Sequence, residues 1–214
     1  MKCLYCKHPY TYILNDGQRK CSKCKRKFSP RKVEREEKLW RFFVEGLTVR
    51  ETAKQVEMHH VTVQKYFDRF RKHVASLSDK NYQQHAHLVT DYDEYLYLPK
   101  SLKIETDLDK LQHFITLSYQ SRVYNLMMPT VSHYSSPDTT TQEQKLILKY
   151  LTYHKVAKMA EARSTITRFW EYFETFILKY KGVTDEQFIY YLKEAEWRFN
   201  EKLFYTKFNL KRIL

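Results

Sequence analysis

Two Cys-x-x-Cys pairs, Cys3/Cys6 and Cys21/Cys24, hold all four cysteines of this 214-residue chain, with 14 residues between them. Each such turn presents two thiolates toward one point, and two turns supply the four soft ligands that a tetrahedral zinc ion wants. The intervening YTYILNDGQRK carries β formers, an Asn15-Asp16-Gly17 turn and a return, so a hairpin is expected. Residues 1–30 are too few to bury a sufficient core, and their folding is expected to be coupled to metal binding. His8 is read as a surface histidine. A redox Cys-x-x-Cys is the rival reading, but it needs no matched second pair. No cysteine remains for a disulfide, which points to the reducing cytoplasm.

Charge is concentrated on the same end. Residues 1–78 hold 19 Lys and Arg against 8 Asp and Glu, a net of +11 of the chain's +13. That excess is the electrostatic footprint expected of a phosphate-binding head, with a solubilising basic face as the bland alternative. From Lys32 the pattern turns helical. Val33, Leu39, Trp40, Phe43 and Leu47 form a stripe that Gly46 stops, and Thr48-Val49-Arg50-Glu51 matches a capping box opening a short second helix. A third helix carries Val63, Phe67, Phe70 and Val74 at spacings of four, three and four. Its other face offers His60, Thr62, Gln64 and Lys65 for base edges, and Arg69, Arg71 and Lys72 for phosphates, the layout of a recognition helix in duplex DNA. Lys25, Arg26 and Lys27 beside the second cysteine pair are expected to touch phosphate too. An ordinary three-helix domain with a charged outer face is the competing reading.

The remainder is nearly balanced in charge. Residues 78–87, SDKNYQQHAH, read as a linker, and residues 88–214 as a second domain. HLVTDYDEYLYLP reads as a strand; KLQHFITLSY and SRVYNLMMP read as a strand hairpin; residues 129–138 read as loop. Helices are expected over QEQKLILKYL, over ITRFWEYFETFILKYKG from a Ser164 or Thr165 cap to Gly182, and over DEQFIYYLKEAEWRFNEK from a Thr184 cap. The expected fold class is therefore α+β or α/β. No run of about 18 apolar residues exists, so no membrane span is expected. Three glycines leave no room for a glycine-rich phosphate loop, so no nucleotide cofactor is expected.

Taken together, the cysteine pairs, the helix-turn-helix pattern, a strand with an acidic pair, and the closing Ile166, Phe169-Trp170 and Tyr191-Leu192-Lys193-Glu194-Ala195-Glu196-Trp197-Arg198-Phe199-Asn200 resemble the small zinc-ribbon insertion-sequence transposases of the DDE type. The resemblance spans essentially the whole chain. It implies a zinc ribbon over 1–30, a helix-turn-helix over 31–77 and a reduced RNase H-like domain over 88–214. It also implies three carboxylates holding two Mg²⁺ ions for phosphoryl transfer, because hard Mg²⁺ takes oxygen ligands. Asp93 stands where the family places its first acid. The stretch LILKYLTYHKVAKM, where the second is expected, contains no Asp or Glu, and the third position is Thr167, followed by Arg168. Asp138, Glu143, Glu161 and Glu171 are the neighbouring acids, and Glu171 is read as a solvated helix residue. The expectation is a transposase-like protein that binds specific double-stranded DNA, with structural Zn²⁺, catalysis lost, and Mg²⁺ needed only if the site is active. Homodimerisation through the aromatics of KYLTYH and FIYYLKEAEW is a further expectation. Two alternatives stay open: an active transposase using non-standard acids, and a zinc-ribbon module that binds protein or RNA.

Overall fold

In the computed structural model, residues 1–99, 102, 110–129, 149 and 164–202 are described. They are mixed α and β: five α-helices and two three-stranded antiparallel sheets. The described residues fall into two compact units, Met1–His73 and Val74 onward.

The first unit opens with a small sheet, β1 (Thr11–Ile13), β2 (Arg19–Cys21) and β3 (Lys27–Phe28), in the order β1-β2-β3. The hairpin turns where expected. Gly17 takes φ 75°, which a side chain disfavours, and Asp16 Oδ1 accepts the Gln18 N–H at 2.9 Å. At two residues, β3 is too short to leave a periodic signal.

Helix α1 (Pro30–Glu45) begins two residues before Lys32, where the helical pattern is expected to start. Ser29 caps it and Pro30 sits in the first turn, where its missing N–H costs nothing. Gly46, at φ 84°, ends it in the left-handed region. The capping box opening α2 (Val49–Val56) is complete: Thr48 accepts from the Glu51 amide, and Glu51 accepts from the Thr48 amide at 2.7 Å. Thr48→Ala is expected to lower the stability of this unit by about 1 kcal/mol, read as a shift in the urea midpoint at unchanged slope. Helix α3 (His60–His85) follows His59, whose Nδ1 accepts the Val61 N–H at 3.3 Å. Val63, Phe67 and Phe70 of α3 are buried, as are Leu39, Trp40 and Phe43 of α1. Trp40 meets Phe70 edge-on at 5.0 Å and Phe43 meets Phe67 at 5.2 Å.

The stretch expected to be a linker, residues 78–87, is not one. α3 continues through it to His85, and a 3₁₀ turn (Ala86–Leu88) follows. Its polar residues have partners on the second unit's sheet. Asn81 donates to the Tyr119 hydroxyl at 3.1 Å, Tyr82 stacks on Tyr124 at 3.9 Å, and Tyr124 donates to Asp79 at 2.9 Å.

That sheet is an antiparallel meander of β4 (Val89–Tyr97), β5 (Gln112–Tyr119) and β6 (Arg122–Met127). All three strands lie where the alternation put them. The described pairings are all antiparallel, so the parallel sheet of an α/β fold is not found among the described residues. Helix α4 (Thr165–Ile177) is capped by Ser164, and α5 (Asp185–Lys202) follows. α4 stops before Gly182, because Lys179 and Tyr180 donate three residues back and tighten the chain out of the helix. One face of the sheet (Tyr95, Tyr97, Phe114, Val123) packs on Phe169, Trp170 and Phe173 of α4 and on Phe188, Leu192 and Ala195 of α5. The helix expected over QEQKLILKYL and the loop at 129–138 lie outside the described residues, apart from Pro129 and Lys149.

Candidate metal centre and candidate nucleic-acid interface

Each cysteine pair sits on a tight turn of the same shape. Cys3 donates its amide to the His8 carbonyl, and Cys21 donates to the Arg26 carbonyl, at 2.9 and 3.0 Å. Lys7 and Lys25, the residues after each second cysteine, both adopt positive φ (58° and 60°) and donate back to Cys3 and Cys21 carbonyls. The duplicated turn brings the four Sγ atoms within 4.8 Å of one another. Cys3–Cys24 and Cys6–Cys21 Sγ separations are 3.6 and 3.5 Å. A tetrahedron of 2.3 Å Zn–S bonds has edges of about 3.8 Å, whereas a disulfide needs about 2.0 Å. The arrangement therefore suits a tetrahedral, thiolate-bound ion such as zinc.

Burial raises the Cys21 thiol, but the amides of Cys24 and Lys23 and the neighbouring sulfurs outweigh it, bringing it to about 6. The Arg26 amide draws Cys24 down, yet burial and the three other sulfurs push it up to about 11. A dication must displace the remaining protons, so metal affinity falls as pH falls.

On α3, His60, Thr62, Lys65 and Lys72 are exposed, as are Lys25, Arg26 and Lys27 near the cysteines. Gln64 is half-buried and donates to Asp68 at 2.7 Å. Arg69 is half-exposed, ion-paired to the buried Glu36 of α1, with its guanidinium 4.9 Å from the Tyr66 ring. Arg71 does not fit its expected role. It is 1% exposed and paired with Asp68 at 3.0 Å. Phe67, Arg71, Val74 and Ser78 repeat at four, three and four, so Arg71 lies along the buried stripe rather than on the outer face.

Asp93 sits on β4, half-buried, its Oδ1 accepting the Glu94 N–H at 2.8 Å. It pairs across the sheet with Thr116, and Thr116 with Asn125, giving one row on the helix-covered face. Thr167 is buried and its hydroxyl donates to the Ser164 carbonyl at 3.0 Å, while Glu171 is exposed. Among the described residues no trio of carboxylates converges as the cysteines do. Asp138, Glu143 and Glu161 lie outside the described residues.

The row leads to a polar cluster that no local pattern announced. Glu196 accepts from the Asn125 amide at 2.7 Å and from its side chain at 2.9 Å. Lys193 donates to Glu196 at 3.1 Å, lies 3.5 Å from Asp79 and 3.4 Å from the Tyr124 ring centre. Thr116 donates to Asn125 at 2.7 Å and accepts from the Trp170 indole at 2.9 Å. Burial raises the Glu196 carboxyl, against the pull of Lys193 and Asn125. Most aromatics of FIYYLKEAEW are not available for a dimer: Phe188, Tyr191 and Trp197 are buried, and Tyr190 is partly so.

No helix among the described residues is long and apolar enough to cross a membrane. Compared with known proteins, the chain matches no protein-family model, no curated protein and no solved structure.

Proposed function

We propose that the chain is a transposase-like protein that binds a specific double-stranded DNA site through its first unit, as a zinc ribbon followed by a helix-turn-helix, without strand-transfer activity. The observation that carries this reading is the sidedness of α3. Val63, Phe67 and Phe70 are buried, while His60, Thr62, Lys65 and Lys72 stand exposed in the segment that holds the chain's +11 excess. A helix with its apolar stripe packed and its first turns polar and basic suits a major groove, and the cations beside the cysteines suit the flanking phosphates. Loss of catalysis rests on Thr167 standing where the family has its third acid, its hydroxyl engaged with its own helix cap.

The test is selection of bound sequences from a random duplex pool with full-length, zinc-loaded protein, then titration across salt. One preferred sequence with steep salt dependence is expected. Lys65→Ala is expected to weaken binding and to relax the sequence preference at the base pair it reads. Equal affinity for all duplexes would overturn the reading. Cutting of the selected site with Mg²⁺ or Mn²⁺, abolished by Asp93→Asn, would overturn the loss of catalysis.

A further inference from the structure

The small N-terminal sheet has one face that its own packing does not use. Opposite residues on antiparallel strands project to the same side, and the register places Tyr12 opposite Lys20, and Lys20 opposite Lys27. Tyr10 extends the row: its carbonyl accepts from the Ser22 amide at 3.2 Å, two residues before Tyr12. The core of this sheet, Cys3, Cys21 and Phe28, belongs elsewhere, since Cys21 and Phe28 fall on the alternate register positions. Tyr10 is 73% exposed and Tyr12 45%. The His8 ring lies 5.7 Å from the Tyr10 ring, with their planes inclined at 64°.

Two features of this face ask for a ligand of particular chemistry. Lys20 and Lys27 are directly opposed like charges, which destabilises a strand pair. Neither has an acidic partner among the described residues, and the sole acid in residues 1–28, Asp16, is engaged in its turn. An anion is the occupant that removes that repulsion. Flat aromatic rings on the strand beside the cations ask for a second property in the same ligand, exposed π-faces. A duplex offers phosphates but hides its base faces in the stack; an acidic peptide offers charge without planar faces. An unpaired DNA strand offers both at once. Beyond the row, Tyr5 donates to the Lys27 carbonyl at 3.4 Å with the Arg26 guanidinium 5.1 Å from its ring, adding a further ring and cation next to Lys27.

We propose that Tyr10 and Tyr12, with Lys20 and Lys27, form a stacking platform for unpaired DNA, so that the first unit holds a single strand on this sheet in addition to the duplex read by α3. The choice of DNA over RNA rests on the duplex-DNA reading of α3; the platform itself does not depend on which residues α3 uses. Its place in function is at a duplex end or junction, where bases are already unstacked.

The experiment uses the full-length, zinc-loaded protein and fluorescein-labelled probes in anisotropy titrations at fixed salt. The probes are a 15-nucleotide oligo(dT), an abasic chain of that length, oligo(rU), and a blunt duplex. Tyr12→Ala is expected to weaken oligo(dT) binding about tenfold, from loss of one stacked base, while leaving the abasic chain and the duplex unchanged. Lys20→Ala weakens oligo(dT) and the abasic chain alike. Lys65→Ala on α3 weakens only the duplex, so failure of the duplex reading and failure of the platform separate. Tyr12 and Tyr10 are exposed, and one bound zinc per chain in each variant verifies the fold. Equal oligo(dT) affinity for wild type, Tyr10→Ala and Tyr12→Ala would overturn the proposal, leaving a surface for phosphate only. A preference for oligo(rU) over oligo(dT) would overturn the DNA assignment.

Discussion

A strong chelator is expected to remove one zinc ion per chain and to unfold residues 1–28, while the helical circular dichroism of the remainder persists. The reason lies in what this small sheet buries. Its buried apolar groups are Cys3, Cys21 and Phe28, two of which belong to the four-cysteine cluster. Once the metal leaves, Phe28 is the large side chain the sheet keeps fully inside, with Leu4 partly buried against it. Burying it contributes about 2–3 kcal/mol, against about 10–16 kcal/mol for structural zinc at neutral pH. Cys21→Ser is expected to act like the chelator, because Cys21 also sits in β2 and accepts the Lys23 and Cys24 amides at 3.3 and 3.4 Å. Cys6 is exposed, so water can enter the fourth position in Cys6→Ser, and a weaker but measurable metal affinity should remain. The checks are metal content by mass spectrometry under native conditions and dispersion of the residue 1–28 amides by NMR. Retained dispersion in metal-free protein would mean that the duplicated turns fold on backbone hydrogen bonds alone.

What the sequence made legible was local. The Cys-x-x-Cys turns, the Asn-Asp-Gly turn, the Thr48/Glu51 box and the Gly46 stop each specify their geometry within a few residues, and each lies where it was expected. The strands of the meander were legible because alternation is a property of one segment. Arg71 was misplaced because an arginine weighs against burial in any pattern count. Yet the four-three-four spacing already placed it on the inner stripe, and Asp68 one turn away supplies its countercharge. The 78–87 stretch failed for a non-local reason. Asp79, Asn81 and Tyr82 look like solvated linker residues until Tyr119 and Tyr124, about forty positions on, arrive to meet them. The same holds for Lys193-Glu194-Ala195-Glu196, four consecutive buried residues whose composition reads as a charged surface.

That buried run is where the largest loss in the second unit is expected. Glu196→Ala should lower its stability by about 3 kcal/mol, at the low end of the range for breaking a buried ion pair. Three donors lose their acceptor at once: the Asn125 amide, the Asn125 side chain and the Lys193 ammonium. The cost stays at the low end because Lys193 keeps Asp79 at 3.5 Å and the face of Tyr124. The damage spreads through the sheet, since Asn125 also holds Thr116, and Thr116 holds the Trp170 indole. Glu196→Gln, which keeps an acceptor and the volume, is expected to cost less, and to change the pH dependence. Burial raises the Glu196 carboxyl above its ordinary 4.5. Its contribution is therefore full below pH 4.5 and declines as pH rises through the raised value, a slope that Gln removes. Lys193→Met combined with Glu196→Leu should recover much of the loss, because deleting both charges leaves neither one buried without its partner. Urea melts of the four proteins at two pH values decide the matter. If Glu196→Ala and the double variant are equally destabilised, the pair is uncoupled, and the stability of the sheet resides in the Asn125 hydrogen bonds instead.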